Sequence, residues 1–97
     1  LIDNADQCDS NFCYPSILLK DTVSPNRDDI LSTFRELNIH ARPAFPRMSL
    51  FPVFEARFPN LIATNVQERG ITLPAAANLK DDDIHFVCDS LIDIISK

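Results

Sequence analysis

Glycine is almost missing from this sequence. Gly70 stands alone in 97 residues, where an average chain of that length carries about seven. Glycine-rich phosphate cradles need several residues without a Cβ, so that backbone N–H groups can approach the anion. The P-loop and the dinucleotide fingerprint are therefore excluded. No apolar run approaches the roughly 20 residues that cross a bilayer, and the polar, acidic start Leu1-Ile2-Asp3-Asn4-Ala5-Asp6 is no signal peptide. We accordingly expect no membrane partner. Met48 is the only methionine and the chain opens on Leu1, so we expect a piece of a longer protein.

Other absences narrow the chemistry. Cys8, Cys13 and Cys88 form an odd set without metal-ligand spacing. Cys8 and Cys13 could pair if the N-terminal segment folded back, but we expect three reduced thiols in a cytoplasmic protein. With His40 and His85 as the only histidines, a Cys/His metal site would need an unusual mixed constellation. Lysine is scarce too. Lys20, Lys80 and Lys97 lie at a strand end, beside three aspartates and at the terminus, and none suits the buried position that a Schiff-base lysine requires.

The formal charge of −5 argues against nucleic acid as a partner, because backbone binding relies on clustered Lys and Arg. The charge is unevenly spread. Residues 39–60 carry Arg42, Arg47 and Arg57 against Glu55 alone, a local balance of +2, and the remainder carries −7. That basic, aromatic segment either faces an anionic small ligand or balances nearby acids, and charge alone favours neither.

What is present reads as one small globular domain, with 45% hydrophobic and 24% charged residues. It can bury a single core but not also wall a deep cofactor cleft. Residues 1–12 read as a linker or frayed end, and 13–97 as the domain. Cys13–Lys20 reads as a strand, with Pro15 at its start or on an edge. Asn26 caps a helix, with Asp29 reaching back, and Ile30, Leu31, Phe34 and Leu37 form its apolar stripe. Asn38 suits a left-handed helix end. Ile39–Phe45 reads as a second extended segment. A short helix over Leu61–Arg69, closed by Gly70, leads into a third strand, Ile71–Leu73. Asp81-Asp82-Asp83 opens the last helix, whose stripe is Ile84, Val87, Cys88, Leu91 and Ile95. The fold class is α+β: a short three-stranded sheet with helices on one side, the other side open or covered by something else.

The carboxylate runs Asp28-Asp29 and Asp81–Asp83 lie in first helical turns, where acids stabilise the dipole by about 0.3–1 kcal/mol each; that structural role suffices. No Ser/His/Asp or Cys/His arrangement has a recognisable local context. His85 falls on the flank of the last stripe. His40, beside the basic segment, is the better candidate. The stretch from Ile39 to Phe54 is proline-punctuated, basic and aromatic, the kind of irregular backbone that often faces ligands.

Five pieces occur in order: a helix ending in Leu37-Asn38-Ile39, then Arg42-Pro43-Ala44-Phe45, Ser49–Phe54, Arg69–Pro74 and an acidic-start helix. This order resembles the C-terminal region of the DegT/DnrJ/EryC1/StrS aminotransferases, over Tyr14 to about Ile95. The resemblance implies the small C-terminal domain of a fold-type I, PLP-dependent enzyme, usually a homodimer with active sites at the subunit interface. Such enzymes move an amino group, typically from glutamate, onto a nucleotide-linked keto-sugar. PLP and its lysine belong to a large N-terminal domain missing from this sequence, and the C-terminal domain closes the sugar side. This portion alone would be inactive.

The resemblance also implies site residues. Arg42 and Pro43 match the family's Arg-Pro pair. Ser49 falls where many members carry a histidine in a Pro-x-His-x-x-Pro stretch, and serine cannot shuttle a proton near neutral pH as histidine can. Asn38 and Lys80 depart from a usual glycine and capping threonine. The expected substrate-binding residues are therefore Arg42, Met48, Ser49 and His40, while Phe45, Phe51 and Phe54 are core or interface residues. Two alternatives stand beside this reading: a sugar dehydratase of the same family, and a free-standing interaction module.

Overall fold

The computed structural model describes all 97 residues. Its elements alternate: β1 (Ser16–Leu18), α1 (Arg27–Glu36), β2 (Arg42–Pro43), a 3-10 turn (Met48–Leu50), α2 (Leu61–Arg69), β3 (Gly70–Thr72) and α3 (Asp81–Ile95). The strands form one antiparallel sheet in the order β1-β3-β2. Ile17 pairs with Ile71, and Pro43 pairs with Ile71 from the other side. The α+β class and the three-stranded sheet are those the residues predicted.

The strands are shorter than expected. Prolines limit two of them, since Pro15 and Pro43 have no N–H to extend a ladder. The Pro15 carbonyl still accepts from the Leu73 N–H, at 2.8 Å. At the outer edge of β1, the Ile2 N–H donates to the Ser16 carbonyl at 2.8 Å, so the first residues lie along that edge.

Helix α1 starts at Asn26, whose side chain accepts from the Asp29 N–H at 3.0 Å. The reciprocal bond from the Asp29 carboxylate is not formed. At α3 it is the carboxylate that caps: Asp83 Oδ2 accepts from the Lys80 N–H at 3.0 Å. Asn38 adopts the left-handed conformation, with φ 59°, and turns the chain so that Ile39 enters the core. Leu37 is a correction: it is the C-cap of α1 and 42% exposed, because the helix ends one residue before it.

The core is Leu19, Ile30, Phe34, Ile39, Ile71 and Ile94, with Ile17, Leu31, Val87 and Leu91 packed against it. Helix α3 packs on α1, through a stripe that keeps Val87 and Leu91 of the expected one but not Ile84, Cys88 or Ile95. Val87, Ser90, Leu91 and Ile94 turn inward, while Ile84, Cys88 and Ile95 stay exposed. Two overlapping apolar arcs run along this helix, and both satisfy the 3.6-residue period. Packing of Ile94 into the core selects one of them.

Gly70 closes α2 as its C-cap, as expected, and opens β3 in extended conformation. Its need is space: a Cβ there would lie 2.5 Å from the Val66 carbonyl oxygen and 2.6 Å from the Ala44 Cβ. Helix α2 also breaks the expectation of helices on one side. Val66 and Arg69 flank Leu18, which strand alternation puts on the face opposite Ile17. Arg69 holds this junction by donating to the Leu19 carbonyl at 2.6 Å and pairing with Asp21 at 2.7 Å.

Candidate functional site

Strand register decides which side chains share a face. With Ile17 and Ile71 turned into the core, their neighbours Ser16 and Thr72 turn the other way. Ser16 pairs with Thr72, and Thr72 with Arg42, so the three form one row across the sheet. Ser16 Oγ and Thr72 Oγ1 lie 3.3 Å apart. Tyr14 and His40 continue the face at one end, where Tyr14, His40, Arg42 and Thr72 line an open cavity of about 230 Å³. The Tyr14 ring meets Phe45 edge-on, at 5.6 Å and 80°.

Arg42 is exposed and forms no ion pair. It stands on an edge strand immediately before Pro43, in one row with Thr72 and Ser16 and on the same open cavity as Tyr14 and His40. Such a surface can hydrogen-bond sugar hydroxyls and hold a phosphate two-pronged.

Met48 and Ser49 lie on the 3-10 turn and line a second cavity, of about 300 Å³, with Phe54, Glu55, Arg57 and Phe58. The four expected substrate residues thus fall into two pairs, His40 with Arg42 and Met48 with Ser49. Arg47 ties the second pair to the fold. Its N–H donates to Gln67 Oε1 at 2.9 Å, and its Nη1 donates to Ser49 Oγ at 2.9 Å. Gln67 in turn offers its carbonyl to the Arg27 Nη1, so α1, α2 and the turn are joined through one residue.

Sequence reasoning missed Tyr14, Ser16 and Thr72 as members of the face, and Arg47 and Gln67 as the anchor. Residue parity would have found the first three once the pairing of β1 with β3 was known. Nothing local marks Gln67, which acts across 20 residues of chain. Cys8, Cys13 and Cys88 are free and exposed. The largest cavity, about 590 Å³, runs between the segment after β3 and α3 and is lined by Leu73, Ala76, Ile84 and Cys88; it contains none of the candidate residues.

Comparison with known families gives one finding. The model of the DegT/DnrJ/EryC1/StrS aminotransferase family matches residues 2–92. No curated protein matches the chain.

Proposed function

The chain belongs to the DegT/DnrJ/EryC1/StrS aminotransferase family, and on that premise we propose that it is the sugar-side, C-terminal small domain of a cytoplasmic nucleotide-sugar aminotransferase of fold type I. In this reading the parent is a homodimer that moves an amino group from glutamate onto a keto-deoxysugar nucleotide. The family is generally PLP-dependent, but the residues of this chain do not fit the cofactor. Lys20, Lys80 and Lys97 are all exposed, whereas a Schiff-base lysine needs a desolvated setting. Gly70, the one glycine, is packed against Val66 and Ala44 and frames no phosphate cradle. The cofactor's chemistry belongs to a large domain outside this sequence, and the part left to this chain is to bind and enclose the sugar.

One observation carries the reading. The sheet face bearing Tyr14, Ser16, His40, Arg42 and Thr72 has polar and aromatic side chains suited to a nucleotide sugar, while the opposite face is filled by Ile30, Phe34 and Ile94. Arg42 would hold an anionic group, and the two hydroxyls would meet ring hydroxyls of the sugar. The exposed apolar side chains between Phe45 and Ile62 supply the surface that would meet the large domain.

The test uses the full-length parent with PLP, glutamate and a panel of keto-sugar nucleotides. Formation of an amino sugar together with 2-oxoglutarate is the expected result. Absence of both products across the panel would defeat the reading. Loss of a sugar hydroxyl without nitrogen transfer would favour the dehydratase of the same family.

A further inference from the structure

The cavity of about 230 Å³ beside Arg42 does not end at the candidate site. Four residues that wall it, Cys13, Leu73, Pro74 and Ala75, also wall the apolar groove of about 590 Å³ along α3. They form a rim at the end of the sheet, between its two faces. On one side of the rim stand Tyr14, His40, Arg42 and Thr72. On the other, Ala76, Ala77, Leu79, Ile84 and Val87 line the groove, and Leu73 and Val87 pack against the core.

The two sides differ in chemistry. Arg42 and His40 are exposed, Arg42 meets no carboxylate, and no acid lines their cavity. An unpaired guanidinium offers a two-pronged site to a carboxylate or phosphate, and His40 and the Tyr14 hydroxyl add further donors. The groove's only charged side chain is Asp83, one oxygen of which accepts from the Lys80 N–H. An anionic head is therefore drawn to the Arg42 side and repelled from the groove. The groove has mostly apolar walls, and its volume falls within the roughly 300–1,000 Å³ of small-molecule clefts. A ligand that fills both must turn over the rim, which a flexible alkyl chain does and a flat ring system does not.

We propose that the Arg42 cavity and the adjoining groove together bind an amphiphilic anion. Its carboxylate or phosphate head sits on Arg42 with His40 and Tyr14, and its single alkyl chain passes over residues 73–75 into the groove. The inference goes beyond the sugar-side reading above. It stands on the continuity of the two cavities and not on the reaction, although the shared Arg42 makes such a ligand a competitor of a nucleotide sugar.

The full-length protein is treated with iodoacetamide, and alkylation of Cys8, Cys13 and Cys88 is followed peptide by peptide by mass spectrometry. All three thiols are free and exposed. Cys13 and Cys88 line the groove, whereas Cys8 lines neither cavity and is the internal control. Decanoate or decyl phosphate, below micelle-forming concentrations, slows Cys13 and Cys88 saturably and leaves Cys8 unchanged. Protection by decanoate only assigns a fatty acid, and by decyl phosphate only a lipid phosphate. Affinity rises roughly fourfold for each methylene added between hexanoate and decanoate, and decanol, without the head, binds about tenfold more weakly. Arg42→Gln weakens decanoate binding about tenfold. Ala76→Trp, at an exposed position on the groove wall, removes the gain with chain length. Equal slowing at Cys8, no dependence on chain length, or unchanged binding in Arg42→Gln would overturn the proposal. Full-length protein that makes an amino sugar but binds neither amphiphile defeats this inference alone; protein that binds one but makes no amino sugar defeats the aminotransferase reading alone.

Discussion

Two regions of this chain are comparably apolar and meet opposite fates. In the sheet and the helices α1 and α3, Ile30, Phe34 and Ile71 are completely buried. Between Phe45 and Ile62, Val53 is 81% exposed, Phe58 73% and Ile62 83%. The first region has regular elements whose faces can be opposed: a helix stripe meets a strand row, and each buried side chain is surrounded. The second is broken by Pro46, Pro52 and Pro59 and has only the 3-10 turn before α2 begins. Its apolar side chains have no second layer inside the chain. Hydrophobic content alone therefore does not mark a core; a core also needs an opposing face. Exposed apolar surface on this scale is what the contact with a large domain proposed above would cover.

The sharpest way to break this comparison is to truncate one aromatic from each region and compare stabilities by denaturant unfolding. Phe34→Ala should cost about 3–5 kcal/mol, the range for emptying a buried aromatic site, enough to abolish cooperative unfolding in a domain with so small a core. The seam between the regions comes next. Gly70→Ala should destabilise by about 1–3 kcal/mol through overpacking, because the new methyl would meet backbone at Val66 and the Ala44 side chain. A neutral outcome there would mean that α2 shifts freely on the sheet. The smallest effect belongs to the exposed region: Phe58→Ala should stay within about 0.5 kcal/mol. A larger loss would show that the chain itself covers Phe58.

Much of the fold is legible in the residues. Asn26, the Ile30–Phe34 spacing and Asn38 are strong local signals, and α1 forms between them. The acidic start of α3 and the boundary of α2 with β3 at Gly70 are legible for the same reason, since caps and steric demands act over a few residues. Half of the site is legible as well: His40 and Arg42 stand two residues apart, a spacing that returns side chains to one face of an extended strand. The remainder depends on partners distant in sequence. Leu37 matches the α1 stripe by period yet lies outside the helix. Ile84, Cys88 and Ile95 match the α3 stripe by period yet face outward, because a helix with two apolar arcs has no local reason to prefer either.

The sequence by itself determined the element order, the helix caps, the concentration of positive charge in residues 39–60 and membership of the aminotransferase family. These follow from interactions among near neighbours or from composition, which no tertiary arrangement alters. Tertiary structure alone decided the rotation of α3, the row that joins Ser16 to Thr72 and Arg42, and the bond between Gln67 and Arg47. Each requires two segments to meet, and the free energy of a meeting is not written in either segment. It is set by which arrangement buries Ile94 with Phe34 and Ile71 while leaving Arg47 its hydrogen bonds.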